Sequence, residues 1–137
     1  MPRRLDTHRI AIKNFLTVAS YRTAMNGWFV YGDMRIYMRS ACRNFDEVPS
    51  RDANYYSTLD LATFVINSEK KRGKGTFTRF LQFIEVAAAR RAFSYLYVEN
   101  VLDGYDSRLA KFLLTNGFKL VEKSDKQMPC FYKKIGV

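Results

Sequence analysis

Lys70-Lys71-Arg72-Gly73-Lys74-Gly75-Thr76 separates two stretches of different character. Before it, Leu59 to Asn67 is an apolar extended run, and after it Phe77 to Arg91 carries a helical pattern. A strand that breaks into glycines and then feeds a helix leaves several backbone N–H groups unpaired at the positive end of the helix dipole. Such a junction holds phosphate groups without needing any particular side chain. The two glycines let an anion approach the main chain closely. The cations around them add long-range attraction. The stretch reads as a diphosphate cradle.

Two better-known phosphate loops do not fit. A nucleotide-triphosphate loop needs four residues between its first glycine and a Gly-Lys-Ser/Thr ending, and here Lys74 precedes Gly75. A dinucleotide fingerprint needs a third glycine, and none follows. What remains is x-x-Arg72-Gly73-x-Gly75 where a strand becomes a helix.

The pattern downstream is ordered. Phe77, Phe80, Leu81, Ile84 and Ala88 fall on one helical face, with Arg79, Gln82 and Glu85 on the other side. Tyr95 to Val98 is a short β-rich run. Ser107 to Asn116 reads as a second helix, with Leu109, Phe112 and Leu113 on one stripe, Asp106 or Ser107 as N-cap and Gly117 as the stop. Phe118 to Lys123 and Phe131 to Ile135 close the chain as strands. Upstream, Leu5 to Met25 has helical spacing. Trp28 to Tyr31 and Met34 to Arg39 form a hairpin over Gly32-Asp33. In the second hairpin strand Met34, Ile36 and Met38 alternate with Arg35, Tyr37 and Arg39, so one face is apolar and the other basic. Ala41 to Ser57 reads as a long loop, a length usually tied to function or mobility.

The x-x-Arg-Gly-x-Gly string resembles the central motif of the GNAT superfamily of acyltransferases. Leu113-Leu114-Thr115-Asn116-Gly117-Phe118 resembles the Gly-Phe ending of the superfamily's second motif, and the order of elements matches from about Leu59 to Val137. The resemblance implies an α/β (α+β) fold, one domain over residues 1–137 with a mixed, mostly antiparallel central sheet flanked by helices. It implies acetyl-CoA as cofactor. Lys71, Arg72, Gly73, Lys74, Gly75 and Thr76 would lie on the pyrophosphate, the backbone of Phe64, Val65 and Ile66 on the thioester, and Ser107 nearby. An amine acceptor would attack directly. Asp60, on the strand before the cradle, and Glu99, after the next strand, are the acidic candidates for taking its proton.

The family often places a tyrosine four residues before the Gly-Phe glycine to protonate the leaving thiolate. Leu113 stands there, and Asp106 replaces an asparagine common near the last helix. Tyr105, Ser107 and Tyr97 are the remaining donors. His8, the sole histidine, lies in the N-terminal helix, which disfavours a serine–histidine–aspartate hydrolase. It reads as a packing or surface residue. Cys42 and Cys130 have no metal-site spacing and are expected to be reduced.

Apolar residues make up 47% and aromatics 15%, too many for a disordered chain, and 137 residues suffice for one core. No 18-residue apolar run spans a membrane, and the first residues lack the apolar core of a signal peptide, so a cytoplasmic protein is expected. Lysine and arginine number 23 against 13 acidic residues, a net charge of +10. The cradle accounts for few of these cations. The excess points to an acidic partner, a nucleic acid or an acidic protein surface, or else to a solvated surface. No helix-turn-helix, zinc-finger or aromatic RNA-binding signature indicates base reading. Two other functions are compatible with the pattern: a non-catalytic binding module of the same fold, and an enzyme that modifies DNA. Homodimers are common in the family.

Overall fold

A computed structural model describes residues 4–22, 24–43, 45, 56–66, 75–99, 108–121 and 129–136. The elements run α1 (Arg4–Ala19), β1 (Asn26–Tyr31), β2 (Met34–Arg43), β3 (Tyr56–Ile66), α2 (Thr76–Ala89), β4 (Tyr95–Val98), α3 (Arg108–Thr115), β5 (Lys119–Leu120) and β6 (Phe131–Lys134). The six strands form one sheet in the order β1-β2-β3-β4-β6-β5. Every neighbouring pair is antiparallel except β3 and β4. A parallel pair cannot be joined by a tight turn, and α2 lies in the connection.

Alternation along the strands sorts the side chains. Met34, Ile36, Met38, Leu59, Leu61, Leu96 and Val98 are buried in one apolar core with Ile12 and Leu16 of α1, Phe80 and Ile84 of α2, and Ala110 and Leu113 of α3. All three helices therefore cover the same face. The apolar face read from Phe80, Leu81, Ile84 and Ala88 is the buried face of α2, and Arg79 and Gln82 are exposed. The opposite face of the sheet carries a separate cluster of Tyr95, Tyr97, Cys130 and Tyr132, with Phe45 stacked on Tyr132 at 4.4 Å.

Both later helices end with the same reversal. Gly117 takes φ +89, and the Phe118 N–H reaches back to the Leu113 carbonyl at 3.0 Å, which turns Phe118 into the core. Ala92 takes φ +67, and the Phe93 N–H reaches Ala88 at 3.1 Å, burying Phe93 fully. A left-handed alanine costs about 1 kcal/mol, a strain that the burial of Phe93 offsets.

Several expected boundaries move. α1 stops at Ala19, not Met25. Ser40 is the reason: its backbone pairs with Ala24 and Met25, and its hydroxyl donates to the Arg22 carbonyl at 2.6 Å, which ties this segment to the sheet. The loop reading of Ala41 to Ser57 is wrong at both ends, because Ala41, Cys42 and Arg43 pair with Thr58, Ser57 and Tyr56. β5 holds only Lys119 and Leu120.

Candidate active site

β3 is the element on which the site is built. Its first half pairs on both sides: Thr58 to Leu61 lie beside Tyr95 to Val98 while also facing β2. Its second half, through Ile66, pairs with β2 and has no β4 partner among the described residues. The change falls at a β-bulge. Met38 faces Leu61 and Tyr37 faces Thr63, so Ala62 is an extra residue in β3. A bulge bends its strand and raises the local twist, and it reverses which face each later residue occupies. Leu59 and Leu61 point to the core, and beyond the bulge it is Phe64 that packs against it. The parallel pairing stops there, leaving a fork whose β3 arm has, at alternate residues, backbone groups without a partner among the described residues.

The fork opens beside the first turn of α2. Phe64 meets Phe77 with ring centroids 4.9 Å apart, and Phe77 meets Phe112 of α3 at 5.8 Å. Gly75 is the N-cap, with φ +81 and no side-chain cap. The N–H groups of Thr76, Phe77 and Thr78 have no acceptor within the helix, which begins with Arg79 N–H bonded to the Gly75 carbonyl at 2.9 Å. No acidic residue lies in this turn. A Cβ at position 75 would sit 3.1 Å from the Arg79 guanidinium. Amides without an acceptor among the described residues, a missing Cβ and a nearby cation suit a phosphate group.

Of the sequence-predicted cofactor contacts, Gly75 and Thr76 lie in this turn, and Phe64, Val65 and Ile66 lie on the free arm of the fork. These residues and chemistry fit the pyrophosphate and thioester portions of an acyl-coenzyme A. Lys71, Arg72, Gly73, Lys74, Tyr105 and Ser107 fall outside the described residues.

The two acidic candidates come together on the face opposite the three described helices. Asp60 is fully buried, and both its oxygens are engaged. Its Oδ1 accepts from Arg43 Nε at 3.1 Å, and its Oδ2 accepts from Arg39 Nε at 2.9 Å and Arg43 Nη2 at 2.7 Å. Arg39 also donates to Glu99 through its other nitrogen. Glu99 directly follows Val98, the last paired residue of β4, and so stands where the strands part; its side chain keeps 10% exposure. Burial disfavours the Arg43 cation, but hydrogen bonding and attraction from Asp60 outweigh it and raise its pKa.

Arg43 also lies 4.1 Å from the ring centre of Tyr97. Burial, followed by a hydrogen bond with Cys130, pushes the Tyr97 phenol well above its ordinary value. It holds its proton tightly. Leu113, at the place of the family's tyrosine, is fully buried in the core and has no polar group to offer. His8 Nδ1 accepts the Gly32 N–H at 3.2 Å and anchors the hairpin turn to α1.

Arg39 and Arg43 are the site residues that sequence reasoning missed. The basic alternation of β2 was visible, but its pairing with Asp60 depends on cross-strand register, which no local pattern encodes. Among the described residues, no group of histidine, cysteine or acidic side chains could hold a metal ion, and no helix is long and apolar enough to cross a membrane.

No protein-family model matches this chain, and no curated protein matches it in sequence. Solved structures do match. The Y145F mutant of KacT aligns at TM-score 0.55 and 13% identity, covering 97% of this chain and 78% of that one. The KacTA–DNA complex aligns at 0.54 and 15%, covering 92% and 80%. AtaTR bound with AcCoA aligns at 0.52 and 12%, covering 74% and 61%. The chain spans 58–61% of the length of the AtaT chains it matches. At this identity the likeness is one of architecture alone. The chain has the fold of the GNAT acyltransferases.

Proposed function

We propose that this protein is an acyl-CoA-dependent N-acyltransferase, with acetyl-CoA as donor and a primary amine as acceptor, working by direct attack in a ternary complex. The observation that carries the reading is the fork between β3 and β4, opening at the Ala62 bulge beside the uncapped N-terminus of α2. That a similarly folded protein, AtaTR, is bound with AcCoA supports it.

Bound acetyl-CoA supplies an acyl group activated as a thioester. The chain's own residues do the rest. The first-turn amides of α2 at Gly75 and Thr76, with the cations of Lys71, Arg72 and Lys74, hold the phosphates. Backbone N–H groups among Phe64, Val65 and Ile66 polarise the acyl carbonyl. Glu99, at the mouth of the fork and partly open to solvent, takes the proton from the amine, directly or through water. Asp60, sealed between two guanidinium groups, positions Arg39, and Arg39 in turn orients Glu99. Tyr97 is too weak an acid for the leaving thiolate, which leaves as an anion or takes its proton from Tyr105 or Ser107.

Calorimetric titration of acetyl-CoA tests this assignment. Micromolar binding, about −8 kcal/mol, is expected for the wild type. Gly75→Asp is expected to remain folded, because a carboxylate suits the positive end of a helix and aspartate tolerates positive φ better than most residues. It should bind at least a hundredfold more weakly, because the same carboxylate repels phosphate. Binding that survives in the folded variant refutes the cradle. Turnover is then sought with polyamines, peptides and nucleic acids as acceptors, read by mass change.

One observation favours a second reading, a binding module without catalysis. The usual acid position is a buried leucine. Under that reading the wild type does not bind acetyl-CoA at all.

A further inference from the structure

α1 and α2 lie side by side on the helical face, and contacts between them run in the same direction along both. The Arg9 guanidinium lies 5.7 Å from the Phe83 ring centre, and eight residues further along each chain Arg91 Nε donates to Thr17 Oγ1 at 3.0 Å. The two segments are therefore parallel, and an open groove of about 800 Å³ runs between them. Five cations line it: Arg9, Lys13, Arg79, Arg90 and Arg91. No acidic residue does so among the described residues; the nearest on α2, Glu85, is turned to the other side and bound by Lys133 at 2.7 Å. From Arg79 to Arg91 the row extends about 18 Å at 1.5 Å per residue.

Like charges facing one another across a helix pair are unfavourable unless an anion lies between them. Part of the array is already fixed in place. Arg9 is held over Tyr31 and Phe83 and donates to the Tyr31 hydroxyl at 3.1 Å, while its Nε is a buried donor with no acceptor among the described residues. Arg91 is held by Thr17 and by the Ala87 carbonyl at 2.9 Å. Lys13, Arg79 and Arg90 are exposed.

We propose that this groove is a binding site for the phosphate backbone of a single nucleic-acid strand. A protein partner would need apolar anchors to bury at the centre of its interface, and charge is depleted there. This groove is the reverse: Val86 is its one exposed apolar side chain, at 50% exposure. Interfaces with nucleic acid are rich in positive charge, and guanidinium groups dominate here by four to one. No exposed aromatic ring lines the groove to stack a base, so its contacts fall on phosphate, which carries no sequence information directly. Arg79 stands at the end of the groove nearest the first turn of α2, while Arg9, Lys13, Arg90 and Arg91 take no part in the proposed acyl transfer, and binding requires no acyl-CoA.

The test is fluorescence anisotropy with a labelled, mixed-sequence single-stranded DNA of about 20 nucleotides, long enough to overfill one site, in the absence of acyl-CoA. With five phosphate contacts, log K should fall against log salt with a slope of about −3.5 between roughly 50 and 200 mM. Replacing Lys13 and Arg90 together by glutamine should weaken binding at least tenfold and reduce the slope to about −2.1. The charge-matched pair Arg108→Gln and Lys111→Gln, on α3, should bind as the wild type does. Equal losses in both double variants would mean that net charge alone attracts the strand, and would overturn the site. Absence of binding by the wild type overturns it too. Polyglutamate of matched charge that competes as well as the oligonucleotide assigns the groove to an acidic protein instead.

Discussion

The two faces of the sheet are built from alternate residues of the same strands and held by different physics. On the helical side, Leu59, Leu61, Ile36 and Met38 lie under three helices in a continuous apolar core. One residue away along the same chain, Asp60 is just as buried but is held by two arginines. Apolar burial is non-directional and scales with area, so the helical face supplies stability and tolerates a range of shapes. Ion pairs hold their partners at fixed angles and contribute little net stability once desolvation is counted. The face opposite the described helices is therefore organised for position, and it is there that the acidic candidates sit.

Three substitutions probe that contrast by chemical denaturation, in decreasing order of expected loss. Phe80→Ala removes a fully buried ring of α2 packed edge-on against Tyr31 at 5.4 Å, and should cost about 3–5 kcal/mol. Asp60→Asn keeps the shape and removes the charge. Arg39 and Arg43 are 35% and 30% exposed and can return to water, so the expected cost is lower, about 1–3 kcal/mol. Losses as large as for Phe80 would show that both faces carry the stability. Glu99→Gln has the smallest expected effect on folding, about 0.5–1.5 kcal/mol because the amide oxygen can still accept from Arg39, with acetyl-CoA affinity unchanged and turnover lower by at least about a hundredfold. Turnover that survives Glu99→Gln but not Asp60→Asn would exchange the proposed roles.

Much of the fold could be read locally. β4 has the predicted limits, and α2 and α3 differ by one or two residues at each end, because periodicity and a terminal glycine are short-range signals. The end of α1 could not be read, since Ser40 pulls the following segment into the sheet from 15 residues away. The site was legible in the same partial way. Gly75, Thr76, Asp60 and Glu99 stood out by type and place, while Arg39 and Arg43 became visible only once register set them against Asp60. Ala62 carries no signal at all, being neither glycine nor proline. What makes it an insertion is the length of the strand opposite.

The extra residue also decides how the opening can be lost. A feature made by counting cannot be removed by changing one side chain for another. Deleting Ala62 would make the pairing with β2 continuous, leaving Phe64 on the core side and Thr63 and Val65 outside, and would remove the bend and extra twist at the point where the pairing with β4 stops. Substitution at the same position leaves the frame as it is. The opening belongs to the arithmetic of the chain, and in a lineage of such proteins it would vanish through a three-base deletion sooner than through any change of residue.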